Sequence, residues 1–471
     1  ECKEKIIAII DVLQNRNKLS IYVISTAFLR FLLKNNSLNN RSAYILSLVL
    51  TDIPVVHDLS GLLGVILDAG YMLRDRIEDE IVRKIYTINV IRGLIHLKWL
   101  INKSIIDEAK SLMSLEDEEL LYYQASLAQA LIEFYIINGL WSDVRGLVER
   151  LEKVWESLDK VNWGEVVDQL NKKGIEVDKG RLKEEIKRLM SYTLAMYYHE
   201  IFDIEKERKY VDAAYDVMTN MLGGDEEARN YFPNDYFSAL LRRDVINTVL
   251  GEDLGKTLKE VVKHSEEAFD YSGQIGTEAI QEIIREYLIA SAYLSRLDKA
   301  LKVVNGNFYL RLSLLSMDRE YLLGLYSLFH YITGGKFLDK VREYAKRVAN
   351  NVILSSDELT LTDIILRSVT ENPVCSRAVI EDQRGLKKDL GLNESDASYL
   401  LYRLFITKSG IVALLSLGRL FSGLAVVREL AGCLADYYPG ALAKLLRKVS
   451  KASNEEEFKD ALVRLAMYLF L

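Results

Sequence analysis

"FSALLRRDVINTVLGEDLGKTLKE", Phe237 to Glu260, decides the fold, because its second half nearly spells a phosphate-binding loop. Such a loop follows a strand and would make the chain a nucleoside triphosphatase. It needs four residues between its glycines and then Gly-Lys-Ser/Thr, so that a ring of backbone N–H groups closes around the phosphates. Here only Glu252, Asp253 and Leu254 separate Gly251 from Gly255, and two of the three are carboxylates that repel phosphate. The preceding stretch carries apolar residues three and four apart, the period of a helix. Gly251 therefore reads as the close of one helix, with Glu252 and Asp253 in the first turn of the next.

The same period runs through "EDEIVRKIYTINVIRGLIHLKWLI", "LLYYQASLAQALIEFYIING" and "RLKEEIKRLMSYTLAMYYHEIF". About twenty helices joined by short turns follow from it. Ser114 with Asp117, and Ser453 with Glu456, have capping-box spacing. Asn138-Gly139 and Gly334-Gly335 mark helix ends. "KVVNGNFYLRLSLL" holds an Asn-Gly pair and alternating Leu310, Leu312 and Leu314, a hairpin signal, but with no other strand nearby it reads as helix. Only four prolines interrupt 471 residues, which favours long helices. Seven glutamines beside abundant Lys, Glu, Ile and Tyr lean toward a thermophilic source.

Apolar residues make up 49% and charged residues 27%, so a sizeable core is available. Cys2, Cys375 and Cys433 are too few for a disulfide framework, which points to a reducing, cytoplasmic compartment. Residue 1 is Glu rather than Met, so targeting is not read from the start. The run Ser409–Val427 has the length of a membrane span but carries Arg419 at its centre, and reads as a buried element with no membrane contact. Net charge is −7, unlike a chain that coats nucleic acid along its length. Arg384 to Lys408 is nevertheless +2, and Pro439 to Lys451 is +4 through Lys444, Arg447, Lys448 and Lys451. These four stand at i, i+3, i+4 and i+7, one stripe of a helix.

Two segments repeat. "LAQALIEFYIINGLWSDVRGLVERL" sets out Tyr135, Gly139, Trp141 and Val144, and "LFHYITGGKFLDKVREYA" sets out Tyr331, Gly335 and Phe337. This spacing resembles the tetratricopeptide unit: an aromatic on one helix, a glycine at the sharp turn, then a ring and a small residue where the second helix crosses. Lys340 departs from it at the small position. "NKSIIDEAKSLM" and "LSRLDKALKVV" resemble second helices only. The resemblance implies antiparallel hairpins stacked as a solenoid, whose concave face takes a protein partner. "VNWGEVVDQLNKKGIEVDKG", Val161–Gly180, rich in Gly and Lys, reads as a hinge.

"LKKDLGLNESDASYLLYRLFITKSGIV", Leu386–Val412, resembles the helix-turn-helix core of winged-helix proteins. Leu386 and Leu390 support it, Gly391 supplies a left-handed turn, and Asn393 or Ser395 caps the second helix. "LTDIILRSVTENP" would be the first helix, and Ile411–Val427, opened by Gly410, the wing, two strands turning at Gly418-Arg419. A reader of DNA would expose Ser395, Ser398, Tyr399, Tyr402 and Arg403, supported by Lys387, Lys388 and Lys408. Glu394 and Asp396 and the apolar wing favour protein instead. A hairpin array ending in such a module is similar to scaffold subunits of the proteasome-lid and translation-initiation type, and to the sensor arms of multidomain signalling ATPases.

No catalytic constellation stands out. The histidines, His57, His96, His199, His264 and His330, are scattered and read as packed or surface residues. "YMLRDRIEDE" would set Asp75 and Asp79 on one helical face, as prenyl-transfer enzymes do for magnesium, but no second acidic motif faces it. "GGDE" at Gly223 lacks the strand hairpin of a cyclase palm. The expected architecture is all-α: helical repeats over 1–160 and 181–355, a winged-helix-like module over 356–427, and closing helices over 428–471. The expected function is a non-enzymatic scaffold or regulatory subunit that binds a protein, with no cofactor and no metal. A DNA-binding regulator is the alternative, and a magnesium-dependent helical enzyme a remote one.

Overall fold

A computed structural model describes residues 39–57, 70–96, 103–138, 140–178, 180–350, 384 and 387–471. All regular structure among these residues is helical. Two compact units divide the chain: residues 1–197 with 213–224, and residues 198–212 with 225–471.

In the first unit, α1 (Asn40–His57) packs on α2 (Glu80–His96), and α3 (Lys103–Met113) and α4 (Leu121–Ile137) pack on α2. Next come α5 (Trp141–Ser157), which packs on α4, and α6 (Trp163–Lys172); α7 (Leu182–Glu200) and α8 (Ile204–Leu222) belong to this unit only in part. The hinge reading meets α6, a helix that buries Val166, Val167 and Leu170. A lysine-rich sequence still buries one apolar face when Val, Val and Leu recur at helical spacing. Tyr135 and Val144 are buried, whereas Trp141 stays 44% exposed. Asp75 and Asp79 do not share a helical face. Asp75 lies in a short 3₁₀ turn, Arg74–Arg76, whereas Asp79 accepts the Val82 N–H at 3.0 Å and starts α2. Ser114 closes α3, its N–H donating to Lys110 O, and caps nothing downstream.

The second unit holds α9 (Asp225–Tyr231), α10 (Pro233–Leu250), α11 (Leu254–Phe269), α12 (Thr277–Tyr293), α13 (Leu297–Gly306), α14 (Phe308–Leu315), α15 (Arg319–Ile332) and α16 (Leu338–Ala349). It ends with α17 (Glu394–Ile406), α18 (Lys408–Phe421), α19 (Leu424–Tyr437), α20 (Gly440–Lys451) and α21 (Glu455–Leu469). The Gly251 reading holds: Gly251 follows α10, and Asp253 caps α11 by accepting the Lys256 N–H at 2.9 Å. "KVVNGNFYLRLSLL" is helical too, with Asn307 capping α14. At α21 the cap is Asn454, one residue beyond the expected Ser453, and Glu457 reaches back to accept from the Ser453 N–H at 2.8 Å. Successive helices pack as hairpins from α10 to α13 and again at α15–α16, where Gly334 and Gly335 turn through φ of +67° and +110°. α21 packs on α10, α12, α18 and α20, so this core does not rest on neighbours in sequence alone.

Leu386–Val412 meets the helix-turn-helix expectation only in part. Gly391 has φ +65°, Leu390 and Leu392 are buried, and Asn393 accepts the Asp396 N–H at 2.8 Å. The proposed first helix lies outside the described residues. No wing follows: Ser409–Val427 falls in α18 and α19, and Ser409–Gly418 is buried throughout. An unbroken apolar run suits a helix surrounded on all sides as well as it suits strands. Arg419 pairs with Glu455 at 2.5 Å. No helix among the described residues is long and apolar enough to cross a membrane. Cys433 on α19 is disulfide-bonded, and the other two cysteines lie outside the described residues.

α18 lies close against α15 at Gly324, where a Cβ would stand 2.7 Å from Ser409 O and 2.8 Å from the Phe470 ring. Backbone and a buried ring cannot yield cheaply. Gly324→Ala is expected to cost about 1–3 kcal/mol of stability, measured as a lowered urea midpoint. An unchanged midpoint would show that the two helices can part.

Candidate anion-binding groove

The stripe predicted on α20 lies in a groove of about 500 Å³. Lys444, Arg447, Lys448 and Lys451 form its α20 wall, and Glu457, Asp460 and Arg464 its α21 wall. α20 takes this orientation because Ala441, Leu442, Ala443, Leu445, Leu446 and Val449 are buried, which turns the intervening cations outward. α21 buries Phe458, Ala461, Leu462 and Leu465, leaving Glu457, Asp460 and Arg464 along its groove edge.

The two carboxylates are engaged within the chain. Glu457 accepts from the Ser453 hydroxyl at 2.6 Å, and Asp460 accepts from the Tyr293 hydroxyl at 2.8 Å. The cations are less well matched. Arg447 stands 3.7 Å from Asp436, both more than half exposed, a geometry that holds little energy. Lys444, Lys448 and Lys451 make no ion pair among the described residues. Burial, and then the nearby Arg464 charge, hold the Lys448 ammonium below lysine's usual range. The groove therefore carries a local excess of positive charge in a chain of net charge −7.

Arg464 forms the deep end of the groove and is only 9% exposed. Its guanidinium donates to Thr248 O, to Gly251 O at 2.7 Å and to Glu252 O at 3.0 Å. These carbonyls close α10, where the helix dipole concentrates negative charge. The loop that resembles a phosphate cradle is thus tied down by a cation. Sequence reasoning missed Arg464, although a lone arginine inside "ALVRLAMYLFL" signals a buried polar anchor.

The other predicted site residues do not join this groove. Lys387, Lys388 and Ser395 are exposed, and Tyr399 and Tyr402 stack half-buried with centroids 6.3 Å apart. Ser398 lies on α17, within Glu394–Ile406. Arg403, expected on an exposed face, is buried and pairs with Glu320 at 2.5 Å. Lys408 pairs with Glu200 at 2.8 Å and lies over the Phe202 ring. Both were misplaced because α15 and residues 198–203 cover the face of α17 and α18 that a free module would expose.

A second charged cluster lies in the core of this unit. Glu207, fully buried, accepts from the Tyr468 hydroxyl at 3.2 Å and lies 3.2 Å from His199 Nδ1 and 3.7 Å from Arg242 Nη1. At its edge His264 Nδ1 is 2.6 Å from Asp244, and Asp244 raises the His264 pKa. Among the described residues no group of three or more His, Cys, Asp or Glu residues is placed to hold a metal ion. Compared with family models, with curated proteins and with solved structures, the chain gives no match.

Proposed function

We propose that this chain is an interaction subunit, an array of helical hairpins that binds a protein partner and seats an acidic segment of it between α20 and α21. What supports this reading is the charge imbalance of the groove: three lysines without an ion pair among the described residues, beside carboxylates already engaged within the chain. A partner carboxylate entering there gains Coulomb energy without displacing an existing ion pair from those lysines. The tetratricopeptide-like spacing of α4–α5 and α15–α16 adds to it, because stacked hairpins commonly serve as binding surfaces. The rival reading, a DNA-binding regulator using α17, keeps Lys387, Lys388 and Ser395 as exposed groups. It loses Arg403 and Lys408 to ion pairs within the chain, and it lacks the wing.

The test is fluorescence anisotropy with a labelled glutamate-rich peptide in low salt. Binding should weaken as salt rises, and by about tenfold or more in the double variant Lys444→Glu/Lys448→Glu. Both residues are exposed on α20, so the circular-dichroism spectrum should stay the same. Absence of peptide binding in low salt would sink the reading, and tight duplex-DNA binding lost in Lys387→Glu/Lys388→Glu would establish the rival.

A further inference from the structure

We infer that the part of this groove lined by Arg447, Lys448 and Arg464 selects a phosphorylated segment over one that is merely acidic. The inference rests on the acidic-partner reading and narrows it to phosphomonoester side chains.

The argument is one of charge density. Lys448 lies near Arg464, and burial first and that second cation next disfavour the lysine's own charged state. Arg447 lines the same α20 wall as Lys448, and its one ion pair among the described residues is the long, exposed contact to Asp436. Arg447, Lys448 and Arg464 line the groove with Asp460, and the positive surplus they leave is only partly neutralised by a carboxylate of charge −1. A phosphoserine brings roughly −1.5 to −2 at pH 7 and three acceptor oxygens. Arginine's planar fork also matches a phosphate with two parallel hydrogen bonds. Arg464 is tied to Thr248, Gly251 and Glu252 carbonyls, so its charge is held in place before any ligand arrives, and little side-chain entropy remains to be lost.

The basic stripe is also short. Lys444 and Lys451 stand at the two ends of the α20 stripe, about 10 Å apart along the axis at 1.5 Å per residue. That length suits a short peptide. A nucleic-acid strand needs a longer basic track, since single-strand sites commonly cover about 4–16 nucleotides.

Three labelled peptides of identical sequence, with a central pair of serines, glutamates or phosphoserines, test this by anisotropy on the full chain. The phosphopeptide should bind at least tenfold tighter than the glutamate peptide, and the serine peptide should not bind. Arg447→Gln/Lys448→Gln, which changes only exposed side chains, should erase the advantage while leaving the circular-dichroism spectrum intact. Equal affinity for the glutamate peptide and the phosphopeptide would overturn phosphate selection and leave the acidic reading standing. No binding of either peptide would remove both. Retained preference in the double variant would also overturn the inference. So would a single-stranded oligonucleotide that binds as tightly as the phosphopeptide, in favour of nucleic acid.

Discussion

Arg403→Ala should lower the stability of the second unit by about 3–5 kcal/mol, the cost of leaving a buried partner charge alone. Arg403 Nη2 lies 2.5 Å from Glu320 Oε1, and the two side chains are 7% and 13% exposed. Arg403 comes from the last turn of α17 and Glu320 from the first turn of α15. Each charge forgoes water in exchange for the other, so truncating one strands its partner. Arg403→Leu/Glu320→Leu should recover most of the loss, because an apolar pair of similar volume dispenses with both desolvation costs. Urea midpoints of the single and double variants decide it. A single variant as stable as the parent would mean that water reaches Glu320 freely. The same geometry warns against Arg403→Glu as a probe of DNA contact, since any lost gel shift would report a damaged fold.

Glu286→Gln should change how stability depends on pH. Glu286 on α12 is 1% exposed. Burial, reinforced by Glu282, pushes its carboxyl up to about 8, against opposition from Arg285 and Arg242. An unfolded glutamate ionises near 4.5. Between those values the folded chain keeps a proton that the unfolded chain has released. Stability then falls as pH rises from about 4.5 to about 8 and levels off above. A shift of this size is worth on the order of 4 kcal/mol. Glutamine has nearly the shape of the protonated acid and cannot ionise. The variant should therefore match the parent near pH 5 and exceed it by several kcal/mol near pH 8.5. Parallel urea midpoints at the two pH values would refute a protonated Glu286.

Helix content was legible in the sequence because apolar period and end signals agree at Asn307, Asn393 and Gly251. The exposed stripe of α20 was legible for the same reason, since Ala441, Leu442, Leu445, Leu446 and Val449 alternate with its four cations. The wing was misread because a run as apolar as Ile411–Leu417 carries no period to separate strand from helix. Arg403 and Lys408 were misread because local pattern says nothing of what packs over a helix from about 80 or 200 residues away. Asp75 and Asp79 failed for a smaller reason: Asp75 sits in a 3₁₀ turn that gives way to extended backbone at Ile77, before Asp79 is reached. The facing wall of the groove, with Arg464, depends on how α20 meets α21 and has no counterpart in residue spacing.

Arg464 has a consequence for how this surface can change over generations. The guanidinium that adds positive potential to the recess also fastens the final turn of α10. Selection cannot tune recruitment through that position without disturbing a neighbouring joint, so adaptation is channelled to Lys444, Arg447, Lys448 and Lys451. Homologues that have lost the anionic ligand should then keep the arginine while their outer wall drifts to neutral residues.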